Sequence, residues 1–512
     1  MKKILLSFVL IFGFSFSASA ENQLSPDEIR AEVERIKLTA LDTFKDYLAL
    51  PNDGHMADDI AVLSNWVEIE FEKRGFTLSR LATAENPLIY AKRMVPGAER
   101  TVLVYLQADG QPVDPSAWFQ PNPYGAVLRH SDTNTWEKGK WNDIAWDSLK
   151  GNINPDWRIY ARSASDSKGP NTQFLMALDV LKNLGITTDF NLKVVIDTEE
   201  ELSSPNLPQA VLDNREELAS DMLLIFDGPP HRSGEPTLSF GARGIATLTL
   251  KTFGAKVAQH SGHFGNYAPN PAFHMSRILA SMKSVDGRVT IPGFYDGVEI
   301  SDDVQKILDD VPNNEAEMRK NMGFSMPDTV ADSLEASIQY PSLNIRGLNS
   351  AWVGDQVRTI IPPTATAEID VRLVKESDPV YLVGLIKDHV EAQGYTVIDH
   401  APTDEERMQQ KRFVQLNYDI SYPAFRSDFD SIVGKFAASA LTHLNGEAPI
   451  MLRTMGGSIP ISPFVDTLNI PALSVPTVNP DNNQHSPNEN IRVGNFIDGI
   501  ATIAAVLAEK VE

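Results

Sequence analysis

Apolar positions recur at helical spacing through Ile29, Val33, Ile36 and Leu41, and Ser25-Pro26-Asp27-Glu28 precedes them. That tetrad has the form of a capping box with proline at the first helical position, so an amphipathic helix is predicted to start there. A second helical pattern covers about 57–73. Strand-like runs follow at 87–91 and 101–106, then a helix over about 172–184 and a β-rich run at 192–196. Alternating helices and strands predict an α/β layer architecture, a mixed and mostly parallel sheet flanked by helices.

The pattern changes near Gly241. Residues 244–253 alternate like an antiparallel strand, a helix is predicted over about 271–282, strands at 343–346 and 365–373, and a further helix over 379–393. This reads as a smaller α+β domain inserted into the larger one. The expected organisation is a signal peptide at 1–20, a first catalytic segment at 21–240, an inserted lid and dimerisation domain at 241–401, and a second catalytic segment at 402–512. Between about 287 and 339 the periodicity predicts no element.

Composition narrows the setting. Lys2 and Lys3 precede an apolar run from Ile4 to Phe16 and the small residues Ser17-Ala18-Ser19-Ala20. This is the form of a secretory signal cleaved after Ala20. The run is shorter than the ~20 residues a membrane span requires. A periplasmic or secreted protein is expected, with no membrane partner. The formal net charge of −23 would repel nucleic acid. With no cysteine in the chain, no disulfide framework is available and stability rests on the core.

The chemistry gathers at strand ends. Hydrophobic β-runs lead into Gln107-Ala108-Asp109, Ser165-Asp166-Ser167-Lys168-Gly169, Glu199-Glu200-Glu201 and Phe226-Asp227-Gly228, and a late His485 lies in a predicted loop. In an open α/β sheet the carboxyl ends of the strands face one crevice, where these acids could meet. Each acid alone would be a solvated turn residue; clustered carboxylates require a cation.

The ordered set of these motifs, together with Gln259-His260-Ser261-Gly262, Thr359-Ile360-Ile361-Pro362, Gly456-Gly457-Ser458-Ile459-Pro460 and His485-Ser486-Pro487-Asn488-Glu489, resembles the zinc-dependent metallopeptidase superfamily of carnosinases, glutamate carboxypeptidase, aminoacylases and succinyl-diaminopimelate desuccinylase. The resemblance implies that Asp166 bridges two cations, that Asp227 completes the first site, and that Glu201 and His485 complete the second. Glu200 would be the general base, and His260 would stabilise the oxyanion, commonly across subunits. Arg372 would grip a substrate carboxylate, with Ser458 beside it. A cis peptide after the bridging aspartate is also expected.

One departure stands out, because Gln107 occupies the place of the family's first histidine ligand. With Asp109 two residues on, the expectation is that the Gln107 amide nitrogen donates to Asp109 while its carbonyl oxygen faces the cation. An amide oxygen is a weaker zinc ligand than imidazole. One or two ions are therefore expected, with Zn2+ first and Mn2+ or Co2+ as alternatives. His231, four residues after Asp227, is a candidate substitute ligand.

The expected function is hydrolysis of a peptide or amide bond in small peptides, as by a dipeptidase or carboxypeptidase, through a homodimer paired by the inserted domain. N-acyl amino acid deacylation, or a catalytically impaired binding homologue, is the alternative. Five of the seven tryptophans, Trp118, Trp136, Trp141, Trp146 and Trp157, fall between the Asp109 and Asp166 motifs. They are read as packing of an inserted loop, or as an aromatic wall for an apolar substrate.

Overall fold

The computed structural model describes residues 24–131 and 140–511; the expected signal peptide and Trp136 lie outside them. The first helix is Pro26–Leu48, and the capping box is present: Ser25 accepts from the Glu28 amide while the Glu28 carboxylate accepts from the Ser25 amide. The second helix is Ala57–Glu72.

An eight-stranded sheet forms the centre of the larger domain, in the order Thr77–Leu81, Leu88–Arg93, Asn191–Asp197, Thr101–Gln107, Met222–Ile225, Ala472–Ser474, Thr237–Ser239 and Ile450–Leu452. From Asn191–Asp197 to Ala472–Ser474 the four adjacent strands run parallel. Every residue of Asn191–Asp197 is buried, as a strand covered on both faces requires. Helices Pro26–Leu48, Lys168–Asn183, Ile432–Asn445 and Val493–Ala508 supply Phe44, Phe174, Phe436 and Phe496 to the main core.

The inserted unit is a five-stranded sheet ordered Ser342–Asn349, Thr364–Leu373, Gly244–Phe253, Phe413–Tyr422 and Thr396–Ile398. Helices Pro271–Met282 and Pro379–Ala392 cover one face, where Ile278, Met282, Ile369 and Ile386 are buried together. Gly244–Phe253 alternates buried and half-buried positions along its whole length, the pattern of a sheet with one covered face.

The expected return to the catalytic fold at 402 is corrected by this topology. Phe413–Tyr422 pairs along Gly244–Phe253 and belongs to the inserted sheet. The chain crosses back only at Phe425–Arg426, which pairs antiparallel with Gly241–Ala242 to make a two-stranded connection. The burial pattern of this strand, with Phe413, Val414 and Leu416 buried and the next three residues exposed, carries little signal of which sheet it joins.

The unassigned stretch contains three short helices, Asp302–Asp309, Glu315–Met322 and Leu334–Ser337. Of the tryptophans, Trp118 and Trp141 are buried, the first under the Arg162 guanidinium and the second under that of Arg158. Trp146 donates to Asp42 and receives Lys45 over its ring. These contacts favour the packing account. No helix among the described residues is long and apolar enough to cross a membrane.

Candidate metal centre

The parallel strands deliver the acids as the α/β argument requires. Gln107 ends one strand and Asp109 follows it; Asp197 ends the next and leads into the turn Glu200–Leu202; Asp227 lies two residues beyond Ile225. Asp166 comes from the loop between Arg158–Tyr160 and the helix Lys168–Asn183, and the Asp166–Ser167 peptide is cis, as expected. His485 has φ 59°, a left-handed conformation, in the loop before Asn490–Arg492.

Asp166, Glu201 and His485 meet, with one ligand atom from each lying within 4.8 Å of the others. His485 Nε2 is 2.9 Å from Asp166 Oδ2 and 3.4 Å from Glu201 Oε2. Gln111 Nε2 donates to Glu201 Oε2 at 2.7 Å, and Gln484 Nε2 donates to Asp166 Oδ2 at 3.2 Å. Asp227 is linked to this group through a hydroxyl: Ser167 Oγ donates to Asp227 Oδ1 at 2.7 Å and lies 3.1 Å from Asp166 Oδ1.

Electrostatics mark the cluster as short of positive charge. Burial, then Glu201, Asp166, Asp109 and Asp227, hold the Glu200 carboxyl well above its ordinary range. Burial and the Asp166 charge push Glu201 up to about 8 and Asp227 up to about 7. The hydrogen bond to Asp166, with the surrounding acids, raises His485 to about 9. Crowded carboxylates cannot all ionise without a counter-ion. Gln107 Oε1 is a buried acceptor with no hydrogen-bond partner, and its amide lies beside Asp166. Two carboxylates and an imidazole fit a divalent cation, and the orphaned Gln107 acceptor offers a further oxygen donor beside Asp166.

The expected role of Asp109 is corrected. Its Oδ1 accepts from the Glu200 amide and its Oδ2 from the Glu201 amide, each at 3.0 Å, so both oxygens hold the Glu200–Glu201 turn. The Gln107 amide nitrogen donates instead to Asp166 Oδ1 at 2.8 Å. A carboxylate two residues from Gln107 on the same strand end is better placed to cap the neighbouring turn than to reach back along its own chain. His231 is buried, but its Nδ1 is engaged with Ser233 of its own turn and it does not join the acid cluster.

The inserted domain contributes Arg372, whose Nη1 donates to Ser458 Oγ at 2.7 Å, so these two expected substrate contacts are brought together across the two domains. His260 is not brought to the acids: it is exposed, accepts from the Gly262 amide at 3.0 Å and stacks on His263.

Glu489 is given no role by the sequence motifs. It is 1 % exposed and accepts from the backbone amides of Ser163, Ser165 and Asp166 and from Ser165 Oγ, each at 2.9 Å, while pairing with Arg162 at 2.8 Å. It thereby fixes the loop carrying Asp166. Its place at the end of the His485 motif is the available signal, as membership of the Gln107 motif is for Gln111 and adjacency to His485 for Gln484.

The chain as a whole is similar to known metallopeptidases. The chain is 25% identical over 497 residues to the Cys-Gly metallodipeptidase of Candida albicans, spanning 93% of this chain and 95% of that one. An M20 family metallo-carboxypeptidase of Sulfolobus solfataricus superposes with a TM-score of 0.75 at 25% identity, over 92% of this chain and 98% of that one. Human carnosine dipeptidase 1 shares the fold, with a TM-score of 0.73 at 19% identity over 94% and 98% of the two chains. The model of peptidase family M20/M25/M40 matches residues 126–509, and the chain belongs to that family.

Proposed function

We propose that this protein is a metal-dependent dipeptidase, in which Asp166, Glu201 and His485 hold one divalent cation and Asp166, Asp227 and Gln107 a second, weaker one. The observation that carries the reading is the meeting of Asp166, Glu201 and His485 beside a free Glu200 carboxyl. Relatives described as a Cys-Gly metallodipeptidase and a Beta-Ala-His dipeptidase support a small-peptide substrate. Zinc is the first choice for the mixed nitrogen and oxygen donors; Gln107 in the histidine position favours harder ions at the site it shares with Asp227.

When bound, the cation polarises the scissile carbonyl and makes an attacking water more acidic. The chain's own groups do the remaining work. The Glu200 carboxyl makes no hydrogen bond or ion pair among the described residues, the residue's backbone amide is pinned by Asp109, and burial keeps the carboxyl basic. It takes the proton from the attacking water and returns it to the leaving amine. Arg372 and Ser458 hold the substrate carboxylate, and His260, exposed in one chain, reaches the oxyanion from a second subunit. The edge strand Ser342–Asn349 exposes Ile345 and Leu348, with Trp352 and Val353 exposed just beyond, which supports a homodimer paired through the inserted domain. The N-terminal pattern supports export, to the periplasm or outside the cell.

The test is a panel of free dipeptides, amidated dipeptides and N-acyl amino acids. Free dipeptides should be turned over best. Arg372→Ala should raise KM about tenfold or more for substrates with a free carboxylate and much less for amidated ones, because a charge-assisted bond to carboxylate is worth about 1.5–3 kcal/mol. Equal losses on both classes would make Arg372 structural, and turnover of N-acyl amino acids alone would make the enzyme a deacylase.

A further inference from the structure

Beside the metal centre lies a cavity of about 560 Å³ whose walls come from both domains. One end is formed by Asp227 and Gln484, and Ser458, the hydroxyl that receives Arg372, lies on its lining. Another part of the lining comes from the short helices of the inserted domain that sequence periodicity does not predict. Much of the lining is apolar, including Leu308, Val311, Leu334, Ile338, Leu452 and Met455. A dipeptide with small side chains leaves such a volume largely empty.

Two acids on these helices, both lining the cavity, differ in a way that matters. Glu315 is committed to the fold: one oxygen accepts from the Leu334 amide at 2.8 Å and the other pairs with Arg319 at 3.2 Å, tying two short helices together. Glu335 is half-buried in the same lining and makes no side-chain hydrogen bond or ion pair among the described residues. Burial, then the charge of Glu315, raises its carboxyl above the ordinary range. Arg232 also lines the cavity but is exposed, and it is not among the charges acting on Glu335. A carboxylate left without a cation on an apolar wall is costly unless an incoming group completes it.

We propose that this cavity is a subsite for a long cationic side chain on the substrate residue whose carboxylate Arg372 holds, with the aliphatic stem along the apolar wall and the ammonium or guanidinium on Glu335. The inference rests on the dipeptidase reading and extends it to a substrate class, peptides ending in lysine or arginine. Lysine and arginine suit such a site because their stems bury well while their heads need a charged partner.

The experiment compares kcat/KM for Gly-Lys, Gly-norleucine, Gly-Glu and Gly-Ala in the parent, Glu335→Gln and Glu335→Lys, with thermal melting to establish folding. Norleucine has the lysine stem without the charge. The parent should favour Gly-Lys over Gly-norleucine by about tenfold, as a charge-assisted contact provides. Glu335→Gln should abolish most of that ratio, and Glu335→Lys should turn the preference towards Gly-Glu. A Gly-Lys to Gly-norleucine ratio near one in the parent, or one unmoved in both folded variants, overturns the subsite while Gly-Ala turnover leaves the dipeptidase reading standing. Failure to hydrolyse any of the four overturns both.

Discussion

Glu200→Gln is expected to fold and retain metal as the parent does while losing about 10²- to 10⁴-fold in turnover, the range for removing a general base. The glutamine is nearly isosteric, and the Asp109 contact that positions this residue is made to its backbone amide, which the change leaves intact. Elemental analysis reports the metal and single-substrate kinetics the turnover. Parent-like turnover would remove Glu200 from the proton path. Loss of metal together with activity would instead make it a ligand or a structural acid.

Glu489→Ala is expected to cost about 3–5 kcal/mol of stability, the range for removing one partner of a buried ion pair. Arg162 would be left 3 % exposed without its carboxylate, and the amides of Ser163, Ser165 and Asp166 would lose their acceptor. The Asp166 loop is what those bonds hold, so metal retention should fall with stability. Glu489→Gln keeps a carbonyl oxygen for the amides and should lose less. Urea denaturation of both variants, with metal content measured in parallel, decides this; a parent-like midpoint for Glu489→Ala would mean the loop is held by other contacts.

The sequence carried the centre of this account because strand ends carry it. Asp166, Glu201 and His485 could be nominated from residue type at the ends of apolar runs and from motif order, and the fold brings them together. The expected pairing of Gln107 with Asp109 does not form because side-chain partners depend on the neighbouring strand: Asn191–Asp197 places the Glu200–Glu201 amides over Asp109, and spacing along one strand does not reveal that. The boundary near 401 failed for a related reason, since Phe413–Tyr422 declares its sheet only by long-range pairing.

The stretch that now walls the cavity was illegible for lack of a core-facing stripe. Glu315–Met322 buries no residue, and Asp302–Asp309 buries only Leu308. Periodicity reports a helix by the face it buries, and these helices instead face a cavity and solvent. Glu489 was hidden differently: a glutamate at the end of a motif reads as solvated until the backbone amides around it are seen.

The central claim, that hydrolysis depends on a cation held by Asp166, Glu201 and His485, is tested most directly by turnover of the best-cleaved thiol-free dipeptide of the panel against metal content. The protein is stripped with a chelator, dialysed free of it and refilled stepwise with zinc, manganese or cobalt. Activity should vanish with the metal and return in proportion to the ion bound, and Asp166→Asn should neither retain the ion nor recover. Undiminished turnover by folded, metal-free protein would contradict the account.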